Sequence, residues 1–253
     1  MNVNEAQAVV TGAARGLGRS FTLALLREGA RVVAGDVNGA GLRSLKAEAG
    51  EQAGALTVAT VDVANEAAVA TFVDLAAKEL PGLNVLLNNA GVLRDGVLAL
   101  QEEGAVRKLP LLQWNKVLEV NLTGQFLLAR EVAARMIERG TRGVIVNLSS
   151  LARAGNVGQS SYAASKAGLD ACTRTWALEL AANGIRVGGV APGVIDTPIL
   201  EGISGPALEA LLHDIPLGRI GTPDEVWQAV RFILTCEFFT GRTVEVDGGA
   251  SMG

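Results

Sequence analysis

Short, almost uninterrupted apolar runs alternate along the chain with longer stretches in which apolar residues recur at helical spacing. Continuous runs of this kind are typical of strands that are buried on both faces of a parallel sheet. They predict strands near residues 6–10, 31–35, 55–61, 84–87, 143–148, 185–190 and 242–246. The helical spacing predicts helices near residues 19–28, 38–49, 66–79, 112–139, 162–182 and 223–234. This alternation predicts an α/β fold: a single doubly wound domain over residues 1–253, with a seven-stranded parallel sheet flanked by helices.

The first strand leads directly into a glycine-rich segment, Thr11–Gly18, and then into an amphipathic helix. Glycines at such a turn let the backbone approach a pyrophosphate, and the helix N-terminus directs free N–H groups at it. A P-loop is excluded because Arg19 and Ser20 follow Gly18 where that motif requires Lys and Ser or Thr. The segment therefore predicts a Rossmann-type dinucleotide site that includes Gly12, Arg15, Gly16, Leu17 and Gly18.

The second strand ends in an acidic residue, Asp36, at the position where a Rossmann domain meets the adenine-side ribose. A carboxylate there accepts hydrogen bonds from the ribose hydroxyls and repels a 2′-phosphate. We therefore predict NAD rather than NADP as the cofactor. Arg15, in the glycine-rich segment, could partly offset the repulsion.

Tyr162 is the only tyrosine in the chain, and Lys166 follows it by four residues. On a helix, side chains at this spacing lie on the same face. A nearby ammonium stabilises the phenolate and is expected to lower the pKa of a tyrosine from its usual value of about 10. Such a tyrosine could exchange a proton with an alcohol or a ketone near neutral pH. Taken alone, the pair also suits an ordinary helix with a solvated lysine, so the rest of the chain must decide.

Composition narrows the class of protein. The chain is 49% hydrophobic with 31 glycines, and its formal net charge of −4 argues against a nucleic-acid-binding surface. No apolar run reaches the roughly 18 residues of a membrane span, and the N-terminal residues lack the features of a signal peptide. We expect a cytoplasmic protein with Cys172 and Cys236 reduced, although a mitochondrial protein without its transit peptide would look the same. No histidine or cysteine cluster predicts a catalytic metal.

Further short motifs follow in order. They are Asp62-Val63, Asn88-Asn89-Ala90-Gly91, Asn121 within Val120–Gly124, Asn147-Leu148-Ser149-Ser150, Ala191-Pro192-Gly193 and Asp247-Gly248-Gly249. Together with the glycine-rich segment and the tyrosine–lysine pair, they resemble the classical short-chain dehydrogenase/reductase family over essentially the whole chain. The resemblance implies reversible, NAD(H)-dependent oxidation of a secondary alcohol to a ketone. A non-catalytic NAD-sensing module is the alternative, which the complete catalytic set argues against.

In that family a tyrosine is the general acid/base, and a lysine lowers its pKa and holds the nicotinamide ribose. A serine polarises the substrate oxygen, and an asparagine anchors a water in a proton relay. The resemblance assigns these roles to Tyr162, Lys166, either Ser149 or Ser150, and Asn121. The spacing back from Tyr162 favours Ser149, whereas the position along the preceding strand favours Ser150. We prefer Ser150, because a loop accommodates a one-residue deletion more easily than a strand does.

The resemblance also implies which residues line the cofactor. Outside the glycine-rich segment and Asp36, these are Asp62, Val63, Asn89, Ala90, Gly91, Tyr162, Lys166, Pro192, Gly193, Val194, Ile195 and Thr197. Family members that resemble this chain are usually homotetramers, joined through the long helix before the fifth strand, the tyrosine–lysine helix and the last strand. Small residues on the tyrosine–lysine helix would permit close approach of a second subunit: Ala164, Ala167, Gly168 and Ala171.

Residues 93–111 form an insertion relative to common family members, and the simplest interpretation is a solvated surface excursion. Similar insertions occur in the branch that contains mitochondrial 3-hydroxyacyl-CoA (type 10 hydroxysteroid) dehydrogenase, which residues 197–200 also resemble. We therefore expect a 3-hydroxyacyl or 3-oxoacyl thioester as substrate, with hydroxysteroids and other hydrophobic secondary alcohols as alternatives. The phosphates of a CoA thioester would need cations at the mouth of the site, for which the nearby candidates are Arg94, Arg107, Lys108 and Arg153.

Residues 195–221 are expected to cover the substrate. Apolar residues recur there at roughly helical spacing between glycines: Ile199, Leu200, Ile203, Leu208, Leu211, Leu212, Ile215 and Leu217. A mobile lid that excludes water and a helix that simply packs on the domain explain the pattern equally well.

Overall fold

The computed structural model describes residues 1–102, 104–200, 205, 209 and 212–250. The strands of this part are β1 (Gln7–Thr11), β2 (Arg31–Asp36), β3 (Leu56–Thr60), β4 (Val85–Asn88), β5 (Ala99–Glu102), β6 (Ala105–Lys108), β7 (Gly143–Leu148), β8 (Ile185–Pro192) and β9 (Thr243–Val246). Strands β5 and β6 form a separate antiparallel hairpin. The other seven form one parallel sheet in the order β3-β2-β1-β4-β7-β8-β9, which confirms the predicted doubly wound sheet.

Helices cover both faces of the sheet. They are α1 (Gly16–Arg27), α2 (Gly39–Glu48), α3 (Glu66–Glu79), α4 (Leu111–Leu118), α5 (Gly124–Glu138), α6 (Ser160–Leu180) and α7 (Pro223–Thr235). Successive strand residues point to opposite faces, so Val10 and Leu87 join the core under α1 and α7. Their neighbours Val9 and Leu86 join the core under α3 and α5. Burial on both faces explains why these strands are continuously apolar in the sequence.

The long helix predicted over residues 112–139 is interrupted. A π-helical segment, Glu119–Thr123, separates α4 from α5 and contains Asn121, which is fully buried. Apolar periodicity continues through the interruption, so the pattern of the sequence could not reveal it. Single π turns inside helices occur frequently at functional sites.

The insertion at residues 93–111 carries the β5–β6 hairpin, whose residues are exposed on both strands. Arg107 and Glu102 form an ion pair of 2.7 Å across it. The expected surface excursion is therefore confirmed, whereas its hairpin structure was not predicted. At its base, the amide of Gly96 donates a 2.7 Å hydrogen bond to the carbonyl of Gly158, next to the start of α6.

Much of the segment predicted to cover the substrate lies outside the described residues, namely 201–204, 206–208, 210 and 211. The two ends of the segment are joined. The amide of Gly221 donates to the carbonyl of Val194, and the amide of Asp196 donates to the carbonyl of Gly221, both at 2.9 Å. The two described ends of the segment therefore lie side by side, at the carboxyl end of β8. No helix among the described residues is long and apolar enough to cross a membrane.

Candidate active site

The glycine-rich turn lies at the carboxyl edge of the sheet, where β1 passes into α1. Gly12 has a positive φ of 66°, and a Cβ on it would lie 2.9 Å from Cα of Ala90. A Cβ on Gly18 would lie 2.2 Å from the carbonyl oxygen of Gly12. A side chain at either position would clash with the neighbouring backbone, so this turn requires glycine at both. The predicted residues Arg15 and Leu17 stand at the N-terminus of α1, where Arg15 makes no side-chain cap to the first helical N–H groups.

Asp36 lies at the carboxyl end of β2, next to the glycine-rich turn. One carboxylate oxygen accepts a 3.0 Å hydrogen bond from the amide of Ala14, and the other accepts a 2.9 Å bond from the amide of Asn38. These bonds fix a negative charge at the carboxyl end of β2, next to the glycine-rich turn. The arrangement fits a dinucleotide: backbone N–H groups for the pyrophosphate, and a carboxylate for ribose hydroxyls.

The stretch after β4 forms the next wall, and it is bound tightly to β1. Thr11 accepts hydrogen bonds from the amides of Asn89 (3.2 Å) and Ala90 (3.1 Å) through its hydroxyl oxygen. The side chain of Asn89 donates back to the carbonyls of Thr11 and Gly12 at 2.9 and 3.3 Å. The predicted Asn89-Ala90-Gly91 wall therefore lies directly beside the glycine-rich turn.

Asn121 holds this wall from the other side. The side-chain oxygen Oδ1 of Asn121 accepts a 2.8 Å hydrogen bond from the backbone N–H of Val92. Its side-chain nitrogen Nδ2 donates a 2.9 Å hydrogen bond to the carbonyl of Val92. One turn further along, the buried side chain of Gln125 donates to the carbonyl of Ala90. Gln125 was not identified from the sequence, although its spacing of four residues from Asn121 places both on one helical face. Together they clamp the backbone on both sides of Gly91.

The remaining predicted cofactor residues lie at neighbouring strand ends. Asp62 is exposed and accepts a 3.0 Å bond from the amide of Ala64, whereas Val63 is buried against Gly124. Gly193 follows Pro192 at the end of β8 and binds the carbonyl of Val246 at 2.9 Å. The chain then runs back over the turn through Val194, Ile195 and Thr197.

Thr197 completes the enclosure, because a Cβ on Gly16 would lie only 3.9 Å from its side chain. The two ends of the predicted cofactor set, more than a hundred residues apart in sequence, therefore meet across the cradle.

Ser150, rather than Ser149, faces Tyr162. The hydroxyl of Ser150 forms a hydrogen bond with the phenol of Tyr162 and also accepts from the amide of Ala152 at 3.1 Å. Ser149 is buried on the opposite side, where its hydroxyl donates to the backbone carbonyl of Lys166 at 3.3 Å. The geometry therefore favours Ser150, because consecutive residues at a strand end point in opposite directions.

The pKa of Tyr162 lies above its usual value, which contradicts the expectation from the tyrosine–lysine spacing. Burial raises this pKa, the hydrogen bond from Ser150 lowers it, and the negative charge of Asp95 raises it. Removal of the phenolate from water outweighs the single hydrogen bond that stabilises it. Asp95, at the base of the insertion, was not identified from the sequence; Gln159 donates a 3.1 Å hydrogen bond to it.

Lys166 is almost completely buried. Its ammonium donates a 2.6 Å hydrogen bond to the carbonyl of Leu148 and lies 5.6 Å from the ring centroid of Tyr162. Burial lowers the pKa of Lys166 to about 8, because the ammonium is removed from water. The side chain is thus held between β7 and the ring of Tyr162, where the spacing predicted it.

Two of the four cations suggested for substrate phosphates are already engaged. Arg107 pairs with Glu102 on the hairpin, and Arg153 turns inward to Asp170 and Glu245. Arg94 is exposed at the base of the insertion, and Lys108 is exposed at the end of β6. Within the described residues, no group of three or more His, Cys, Asp or Glu side chains could hold a metal ion.

A seven-stranded parallel sheet with a glycine-rich turn after β1, and a tyrosine–lysine pair at the same carboxyl edge, is the arrangement of a nicotinamide-dependent oxidoreductase that acts on CH–OH groups. A family model described as "Enoyl-(Acyl carrier protein) reductase" matches residues 12–251. The chain belongs to the short-chain dehydrogenase/reductase family, as the sequence motifs predicted.

Curated relatives are similar over nearly the whole chain. A "3-oxoacyl-[acyl-carrier-protein] reductase FabG" of Thermotoga maritima is 40% identical, covering 95% of this chain and 96% of the relative. A "(3R)-3-hydroxyacyl-CoA dehydrogenase" of Canis lupus familiaris is 36% identical, covering 100% and 98%. A "cis-4-hydroxycyclohexanecarboxylate dehydrogenase" of Sinomonas cyclohexanicum is 39% identical, covering 97% and 96%. Among solved structures, a short-chain type dehydrogenase/reductase from Mycobacterium marinum superposes with a TM-score of 0.91 at 28% identity, covering 100% and 98%.

Proposed function

We propose that this protein is an NAD(H)-dependent oxidoreductase that interconverts a 3-hydroxyacyl and a 3-oxoacyl thioester. The observation that carries the proposal is that Ser150, Tyr162 and Lys166 lie together at the carboxyl end of β7, on the same edge of the sheet as the glycine-rich turn. Relatives named for 3-oxoacyl and 3-hydroxyacyl substrates support the thioester. The substrate is thus a small molecule, and the interconversion is reversible.

In the direction of oxidation, Tyr162 takes the hydroxyl proton of the substrate, and in reduction it returns that proton to the carbonyl oxygen. Ser150 orients the substrate oxygen by a hydrogen bond. The ammonium of Lys166, 5.6 Å from the ring centroid of Tyr162, would favour the phenolate against the burial that raises its pKa. When bound, the nicotinamide supplies the hydride acceptor or donor. The side chain of Asn121 is committed to Val92, so Asn121 would anchor the water of a proton relay through its backbone carbonyl, which accepts a hydrogen bond from that water. The residues predicted for the cofactor form the cradle that would hold it.

Asp36 is expected to set the preference for NAD over NADP. Its carboxylate would face the 2′-phosphate of NADP, and a like-charge juxtaposition of this kind disfavours a ligand by several kcal/mol. Asp36→Asn should therefore narrow the affinity gap between NADH and NADPH by roughly tenfold or more. Fluorescence titration with both nucleotides measures the gap.

Asp36→Asn removes the charge while keeping an oxygen that can accept a backbone hydrogen bond, whereas Asp36→Ala removes the support of Ala14 and Asn38 as well. A comparison of the two separates electrostatics from loop support. Equal affinities of the unaltered protein for NADH and NADPH would refute the proposed NAD preference.

A substrate panel tests the thioester assignment. Acetoacetyl-CoA, a β-keto ester, a ketosteroid and 4-oxocyclohexanecarboxylate should be compared at fixed NADH. The last compound is included because a relative of similar identity is named for the corresponding cyclic alcohol, which supports a small hydrophobic alcohol as the second candidate. We expect acetoacetyl-CoA to have the highest kcat/KM. Brisk turnover of a steroid or cyclic ketone without turnover of acetoacetyl-CoA would overturn the thioester and leave the dehydrogenase class intact.

We also propose a homotetramer in the cytoplasm. Exposed small residues on α6, including Ala164, Ala167 and Ala171, together with Leu178 at 82% exposure, support close packing of this helix against another subunit. Both cysteines are free, which is usual for a reducing compartment. Light scattering in solution is the direct test of the assembly.

We further propose that residues 195–221 act as a lid over the substrate.

A further inference from the structure

Arg153 lies in the turn that follows Ser150, but its side chain leaves this turn and reaches two other elements. Its Nε is 3.4 Å from Oδ2 of Asp170 on α6, and its Nη2 pairs with Glu245 on β9. The side chains of Arg153 and Asp170 are only 20% and 13% exposed. One mostly buried cation therefore connects the turn, the helix of Tyr162 and the edge of the sheet.

Asp170 provides a fixed anchor for this cation. It follows Lys166 by four residues, so both lie along one face of α6. Its second oxygen accepts a 2.6 Å hydrogen bond from the hydroxyl of Thr243 on β9. The carboxylate is thus held by the sheet as well as by its helix. A side chain that pairs with it, such as that of Arg153, is therefore fixed relative to both.

The turn that carries Ser150 has little support of its own. It is a 3₁₀ helix of four residues, Leu151–Ala154, capped by Ser150 itself. The amide of Arg153 donates to the carbonyl of Ser150 at 3.1 Å, so Arg153 is bonded to Ser150 through the backbone and to α6 through its side chain. Such short 3₁₀ pieces have poor hydrogen-bond geometry and depend on their surroundings for a fixed shape.

We propose that Arg153 is a positioning residue that keeps Ser150 in register with Tyr162 by anchoring the turn to Asp170 and Glu245. The inference rests on the proposed role of Ser150. A planar guanidinium presents several donors in a rigid fork and can serve two carboxylates at once, which a compact ammonium does less well. Without the cation, Asp170 and Glu245 lose their shared partner, and the turn loses its charged connection to α6 and β9.

Replacement of Arg153 by Met keeps the length of the side chain and removes the charge. We expect kcat for oxidation to fall on the order of tenfold, as small misplacements of catalytic groups do, while the dissociation constant for NADH is unchanged. Arg153→Lys should recover part of the loss. Arg174→Met is the matched control, because Arg174 contacts the same Asp170 at 3.6 Å from the exposed side of α6 and does not touch the turn.

The pH dependence of kcat for oxidation distinguishes the positioning role from a general loss of stability, because a loss of stability alone would not shift the profile along the pH axis. Burial raises the pKa of Tyr162, and the hydrogen bond from Ser150 opposes that rise. If Arg153→Met displaces Ser150, the pKa of Tyr162 rises further, and the ascending limb of the oxidation profile moves to higher pH. An unchanged profile, or an equal effect of Arg174→Met, would overturn the inference.

A double-mutant cycle with Ser150→Ala separates this inference from the proposed function. If Arg153 acts through Ser150, adding Arg153→Met to Ser150→Ala should cause no further loss of kcat. Independent, multiplying effects would overturn the positioning role and leave the function standing. Full activity of Ser150→Ala would instead contradict the proposed catalytic set. If Arg153→Met does not fold, Arg153→Gln takes its place in the cycle with the same expectations.

Discussion

Replacement of Tyr162 by Phe should lower turnover by about 10²–10⁴-fold, the usual contribution of a general acid/base. Tyr162 is the only tyrosine in the chain, and its phenol is hydrogen-bonded to Ser150. The variant keeps the aromatic ring over Lys166, so the packing of α6 is preserved. Steady-state kinetics measure the loss, and NADH fluorescence titration should give an unchanged dissociation constant.

Ser149→Ala is the matched control for this experiment. It removes a buried hydroxyl next to Ser150 whose bond, to the backbone carbonyl of Lys166, is directed away from the phenol. We expect Ser149→Ala to retain most of the activity. If Tyr162→Phe kept most of its turnover, the proposed mechanism would be wrong even though the family assignment would stand.

Replacement of Gly18 by Ala should weaken cofactor binding strongly. A Cβ at this position would lie 2.2 Å from the carbonyl oxygen of Gly12 and 2.6 Å from the side-chain nitrogen of Asn89. Both contacts are shorter than packed atoms allow, so the turn must move away from Asn89. Charged-ligand hydrogen bonds are worth roughly 1.5–3 kcal/mol each, so losing one or two weakens NADH binding by about ten- to a thousand-fold or more.

The same clash should also lower the stability of the fold. Overpacking costs about 1–3 kcal/mol, which corresponds to a fall in Tm of roughly 2–12 °C for a chain of this size. Gly54→Ala is the matched control, because a Cβ on Gly54 meets nothing within 4 Å and its φ lies outside the strained region. Calorimetry and NADH titration should show no effect of this control. Wild-type NADH affinity in Gly18→Ala would contradict the placement of the cofactor cradle.

Tyr162→Phe and Gly18→Ala affect different steps, namely the chemistry and the binding of the cofactor. Tyr162→Phe separates chemistry from binding, whereas Gly18→Ala weakens binding while leaving Ser150, Tyr162 and Lys166 in place. A protein that lost turnover in both variants, but NADH affinity only in the second, would behave as the proposed oxidoreductase requires.

Several features were predictable from the sequence because they depend on short-range patterns. Apolar runs predicted the number of strands in the parallel sheet and their order along the chain, because strands buried on both faces are continuously apolar. The turn between β1 and α1 was predictable because close backbone approach requires glycine, which the clashes at Gly12 and Gly18 now explain. The spacing of Tyr162 and Lys166 placed them together because α6 is a regular helix there.

The tertiary structure decided what depends on contacts between distant residues. It selected Ser150 over Ser149, because the side chain that faces Tyr162 is set by the pairing of β7 with its neighbours rather than by a count along the chain. It reversed the expected pKa shift of Tyr162, because desolvation sums over every surrounding element, whereas the spacing to Lys166 reports only one neighbour.

Sequence alone therefore determined the class of fold and the family, through patterns and motifs that depend only on residues close to one another along the chain. Only the folded chain showed that a π-helical turn presents Asn121 to Val92, and that Arg153 pairs with Asp170 on α6. Both outcomes depend on where separate strands and helices come to lie. A side chain's partner is chosen by the free energy of all available contacts, and these exist only after the sheet has assembled.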